Sequence, residues 1–157
     1  MSFSGTYSEN IRATIDSAHG LVTSEAPLTK AIKSSFASAN AYFSKASALS
    51  SVTASFDFRG SLEDDLGDTI TLQKVYLVHF KNASTVASGS SMVVGSATTH
   101  IPLFKASANA ITVTPQRSFT ILDDTGISVT AATADTINIF GTSGDDYELV
   151  VIGRRTA

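Results

Sequence analysis

Short runs of alternating apolar and polar residues recur along this chain at spacings near ten, each followed by a turn signal, and this rhythm limits the fold more than any other feature. Val52, Ala54, Phe56 and Phe58 fall on one face of such a run, with Thr53, Ser55 and Asp57 on the other. Met92-Val93-Val94, Ile111-Thr112-Val113, Phe119-Thr120-Ile121, Ile127-Ser128-Val129 and Ile137-Asn138-Ile139 repeat the pattern, with turn signals at Gly95, Asp123-Asp124, Gly126 and the stretch from Gly141 to Asp146. Such spacing leaves no room for crossover helices between strands. It points to an antiparallel sandwich or barrel rather than βαβ units.

Two runs are denser than the rest. Tyr147 to Arg155 reads as a strand that spends the end of the sequence in a core, leaving no spare tail there. In the run from Ile70 to Lys81, Leu72, Tyr76, Val78 and Phe80 share a face, while Val75 and Leu77 make the other face apolar at its centre, which predicts a strand covered on both sides. Between this strand and the one before it, Gly60 to Asp68 has the glycines and carboxylates of a solvated loop.

The first fifty residues are ambiguous, because Leu28, Ile32 and Phe36 fit both a helical spacing of four and the even spacing of a strand. Ser24 and Pro27 would open a helix, but the many serines are mediocre helix formers, and we read a strand over 28–37 with room for one short helix. The Ser- and Ala-rich stretch from Ser34 to Ser55 reads as flexible or ordered by a partner. Residues 1–25 read as an extended N-terminal arm or first strand, and 26–157 as a single β-sandwich domain; 157 residues suffice for one substantial core.

The net charge of −3, with only 16% charged residues and basic residues scattered apart from Arg154-Arg155, does not suit a phosphate backbone, so nucleic acid is not expected as a partner. No apolar run is long enough to cross a bilayer and the first residues lack a secretory leader, so neither membrane nor export is expected. There is no cysteine, hence no disulfide and no thiolate nucleophile.

Chemistry is sparse. His19, His79 and His100 are too far apart for a short metal motif, and His79 reads as a structural or interface histidine. Glu63, Asp64, Asp65 and Asp68 do not match an EF-hand loop and read as a solvated turn, as do Asp123-Asp124 and Asp145-Asp146. No serine stands in a Gly-x-Ser-x-Gly elbow, and Gly141-Thr142-Ser143-Gly144 is too short for a phosphate loop and lacks its lysine. No catalytic, cofactor or metal residues are assigned, and the chain is not read as an enzyme. Asn82-Ala83-Ser84 matches a glycosylation sequon, a pattern frequent by chance. Phe3 and Tyr7 in the arm, with Arg154 and Arg155 at the other end, are the candidate interface residues; an arginine there would grip a neighbour's carboxylate.

The segment from Asp68-Thr69-Ile70-Thr71, through the apolar strand that ends in Lys81-Asn82, to Tyr147-Glu148-Leu149-Val150-Val151-Ile152-Gly153-Arg154 resembles small virion structural proteins of tailed bacteriophages. The resemblance implies a β-sandwich of jelly-roll type that assembles on a phage particle. From it we expect a non-enzymatic capsid decoration, or cement, protein on the virion surface, made in the host cytoplasm, self-associating as a homotrimer and bound to the major capsid protein. A tail, baseplate or fibre component that touches the host is the alternative within that class. A carbohydrate-binding sandwich is the alternative outside it, and 8% aromatics without any Trp argues against sugar stacking.

Overall fold

The computed structural model describes residues 6–7, 34–35, 39, 41–60, 62–63, 69–87, 89–95, 99–104 and 109–156. A two-residue pair, β1 (Thr6–Tyr7) with β2 (Ser34–Ser35), precedes eight further strands: β3 (Ala41–Ala48), β4 (Thr53–Asp57), β5 (Leu72–Asn82), β6 (Met92–Gly95), β7 (Ala110–Val113), β8 (Ser118–Ser128), β9 (Thr136–Phe140) and β10 (Asp146–Arg155). They form two antiparallel four-stranded sheets, ordered β3-β10-β5-β8 and β4-β9-β6-β7, packed against each other as a β-sandwich. No helix occurs among the described residues, and the arm over 1–25 lies almost wholly outside them.

Alternation explains the core. Phe43, Val78, Phe80, Leu149 and Val151 from one sheet meet Phe56, Met92, Val94, Ile137 and Ile139 from the other, all nearly or fully buried. At its centre Phe43 lies 5.6 Å from Phe56 and 5.5 Å from Phe58, edge-on to the latter, and Phe56 lies 6.1 Å from Tyr147. Each such ring removes about 150–250 Å² of surface from water, so these contacts dominate the packing energy.

Three expectations from the sequence change. β3 is an eight-residue ladder against β10, not a flexible stretch; its Ser and Ala residues supply little apolar area, and the pairing of Asp146↔Ala48 through Gly153↔Ala41 holds it instead. Tyr76 does not share a face with Leu72 and Val78. A register shift between Val75 and Leu77 turns Val75 inward and Tyr76 outward, because one extra residue on a strand flips every later side chain. The Asp123–Gly126 turn does not end a strand either: Asp123 Oδ1 accepts the Thr125 and Gly126 amides, both at 2.9 Å, and the Thr125 hydroxyl at 2.6 Å, and β8 resumes its pairing with β5 beyond. The Thr125 hydroxyl is the main reason the Asp123 carboxyl lies below its usual range. Gly126 adopts φ +78°, and a Cβ there would stand 2.7 Å from Tyr76 Cε1, so the turn and the bulge fit only around glycine.

As expected from the apolar centre of β5, its sheet is covered on its outer side too. Tyr42, Ile152, Leu77 and Leu122 form one row across β3-β10-β5-β8. Leu77, Ile152, Tyr76 and Ala39 are buried there as a second, smaller apolar cluster, separate from the main core.

Candidate functional site

The four connections β3–β4, β5–β6, β7–β8 and β9–β10 gather at one end of the sandwich, and hydrogen bonds weld them into a crown. From the β9–β10 turn, Gly141 N donates to Val52 O (3.0 Å) and Gly144 N to Leu49 O (2.8 Å), while Leu49 N donates to Asp145 O (2.9 Å), so the β3–β4 and β9–β10 connections share one frame. Asp145 joins this frame to the β5–β6 loop. Its buried carboxylate accepts from the Ser90 hydroxyl, from Ser90 N at 3.3 Å and from Thr142 N at 3.2 Å. The Ser90 hydroxyl holds this carboxyl below the usual range, with the backbone amides adding to it and burial opposing.

Asn82 ties in the remaining loop. Fully buried, it donates through Nδ2 to Ser90 O (2.8 Å) and Val113 O (3.0 Å) and accepts from Ser84 N (3.2 Å). The sequon therefore encodes a structural knot, and no glycan reaches this amide in the folded protein. Ser84 N–H and hydroxyl are spent in the same knot, the hydroxyl accepting from Asp146 N at 2.9 Å. From the β7–β8 turn, Gln116, at a left-handed φ of 62°, donates through Nε2 to Ala83 O (2.9 Å) and Ser84 O (2.6 Å). A non-glycine residue in that conformation costs about 1–3 kcal/mol and persists only where surrounding bonds demand it.

The crown is thus rigid inside and presents apolar tips outside. Val52 is 65% exposed and Val86 76% exposed, the two most exposed large apolar residues among those described. The alternation assigns Val52 to the buried face with Ala54 and Phe56; it lies instead in the turn ahead of β4, where the strand register no longer governs it. Val86 carried no signal in the sequence, because it sits in the loop between β5 and β6 without any periodic neighbour.

The candidate residues named from the sequence scatter rather than converge. Arg154 and Arg155 are half-buried ladder residues of β10, opposite Lys74 and Leu72, and Arg154 Nη2 donates to Gln73 Oε1 at 2.6 Å. Tyr7 is described through its backbone pairing with Ser34, and Phe3 and His19 lie outside the described residues. His79 stands on the outer face of β5 with Nδ1 2.8 Å from the Thr120 hydroxyl, whereas His100 is fully buried on a segment bridged to Thr136 of β9. Beside His79 on that face, Lys81 Nζ meets Glu148 Oε1 at 2.8 Å, a solvent-screened pair of small energetic weight. Of the acidic loop, Glu63 pairs with Thr69 as an isolated bridge, and residues 64–68 lie outside the described residues. Among the described residues no three His, Asp or Glu side chains come together to hold a metal. No described helix is long and apolar enough to cross a membrane.

The fold and the crown define a β-sandwich with a preorganised loop end. No family model, no curated protein and no solved structure matches this chain.

Proposed function

We propose that this chain is a non-enzymatic structural protein of a phage virion, a head decoration protein that docks on the capsid lattice through its loop crown and self-associates as a homotrimer. The observation that carries the reading is strand order. Counted from β3 as the first of eight, the sheets run 1-8-3-6 and 2-7-4-5, an order that we read as the two Greek keys of a jelly roll, an architecture of viral capsid and lectin domains. The resemblance of residues 68–154 to phage virion proteins points the same way.

The crown suits docking without chemistry. The polar side chains of Asn82 and Asp145 that join its loops are bonded internally, so its loops lose little freedom on binding. Exposed Val52 and Val86 supply the apolar contact. A few such contacts per copy suffice when a trimer engages a symmetric shell, since the second and third events are intramolecular. Lectins share the strand order, but among the residues whose side chains are described only Tyr42 presents an exposed ring, a poor platform for sugar.

The test is co-sedimentation of the purified protein with undecorated heads and with tails, alongside a Val52→Asp, Val86→Asp double variant. Saturable binding to heads by the parent chain, lost in the variant, supports the reading. Binding to tails or host cells alone would move the protein to the adhesion apparatus, and binding to neither would overturn the virion assignment.

A further inference from the structure

At the opposite end of the sandwich, residues 99–104 of the β6–β7 connection join the β4–β5 and β8–β9 connections, which reach the core through Phe58, Ile70 and Val129. Asp135 N and Thr136 N both donate to Thr99 O at 3.0 Å, Ile101 N donates to Thr136 O at 2.8 Å, and the Thr99 and Thr136 hydroxyls lie 3.0 Å apart. These bonds clamp residues 99–104 onto the start of β9 and turn Ile101 and Leu103 into the main core. Phe104 packs edge-on against Phe119 of β8 at 5.8 Å, and Phe119 in turn lies 5.8 Å from Phe80.

His100 is the odd member of this segment. Its side chain is fully buried and lies nearly parallel to the Phe104 ring, 15° apart with centroids at 6.4 Å. Neither Nδ1 nor Nε2 has a hydrogen-bond partner among the described residues. A buried imidazole without partners is costly when neutral and far more so as a two-donor cation. An aliphatic side chain would fill the same volume without either cost; what histidine adds is the ability to take a proton.

We propose that residues 99–104 form an acid-released plug: protonation of His100 frees this segment from the start of β9 and draws Ile101 and Leu103 out of the core, while the β5–β10 ladder stays paired. Among the described residues, no group facing the imidazole would neutralise the cation. β9 faces the segment with the Thr136 hydroxyl, itself bonded to Thr99 and Asn138, and β8 faces it with Phe119. The adjoining carboxylate, Asp135, is buried and engaged by Ala132 N. Burial alone lowers the His100 pKa from 6.5 to about 4, with no charged group contributing.

Proton counts fix the sign. Below pH 6.5 the open state binds a proton that the closed state refuses until about pH 4, so closure is favoured above 6.5, weakens through the interval and levels off below it. Between pH 8 and pH 5 the opening constant rises roughly 30-fold for these two values. The plug operates independently of what the crown binds.

The experiment is amide hydrogen exchange of the full chain by NMR from pH 8 to 4.5, corrected for intrinsic rates, comparing Ile101, Asp135 and Thr136 with Val78 and Val151. Protection at the first three should fall about 30-fold by pH 5 while the β5 and β10 amides hold, and His100→Leu should abolish that selective loss. If the first three amides track Val78 at every pH, or lose protection equally in His100→Leu, the plug is refuted. Should His100→Leu fail to fold, His100→Met takes its place, and the comparison within the parent chain decides alone.

Discussion

Replacing Val151 by aspartate tests the central strand directly. Val151 is 1% exposed on β10, flanked in register by Phe43 and Val78 and aimed at the opposite sheet. Losing the valine forfeits about 1.5–3 kcal/mol of burial. The new carboxyl has no cation at hand and folds only as the neutral acid; holding it protonated at pH 7, about three units above its ordinary pKa, costs about 4 kcal/mol. Leaving that acid without hydrogen bonds adds about 1–3 kcal/mol. The total, about 7–10 kcal/mol, rivals the whole stability of a typical domain. Urea unfolding of Val151→Asp, Val151→Ala and the parent at pH 7 and 5 separates these contributions. Val151→Ala should lose about 2 kcal/mol at both pH values. The deficit of Val151→Asp should be several-fold larger and shrink by about 3 kcal/mol at pH 5, because the protonation cost changes by about 1.4 kcal/mol per pH unit. Val150→Asp, one residue away on the half-buried outer face, should cost far less. A Val151→Asp protein as stable as Val151→Ala, or a deficit indifferent to pH, would refute the placement of Val151 in a dry core.

Two smaller tests address the loops. Asn82→Ala removes donors from Ser90 O and Val113 O and should cost about 2–4 kcal/mol in denaturant unfolding, from two hydrogen bonds and the buried groups left behind; expressed in a glycosylating host, the folded parent should show no added mass at Asn82. Gly126→Ala should lower stability by about 1–3 kcal/mol, since both its positive φ and the approach of Tyr76 oppose a Cβ; an unchanged melting temperature would show that the Asp123–Gly126 turn relaxes freely.

Period two was legible wherever a strand buries one face between two regular neighbours. β4, β6, β7 and β9 appear within a few residues of where their alternation places them. β5 announced its covered outer side through Leu77, yet the side chosen by Tyr76 depended on a bulge, which periodicity cannot register in advance. β3 was invisible for a different reason. Its partner β10 lies about a hundred residues away, and a ladder of backbone bonds leaves no trace in the side chains of an Ala- and Ser-rich edge strand. Asn82 and Asp145 were each read as something local, a sequon and a turn, whereas their contacts run to Val113 and Ser90 on other loops. The crown therefore emerges only once long-range closure has set four loops side by side. His100 looked like a distant third histidine; its meaning came from burial and from Phe104, four residues on, which a metal-spacing search does not consider.

The insertion of β10 between β3 and β5 sets an order of events during synthesis. Until residues 146–155 leave the ribosome, β3 and β5 cannot sit in the same sheet, and each exposes a bare backbone edge. Nothing made earlier can substitute, so the nascent chain must wait with its stickiest strand, β5, unshielded on one flank. Slow, long-range closure of this kind invites pairing between neighbouring chains on one messenger. The protein's soluble yield should therefore respond to translation rate more steeply than its folded stability would suggest.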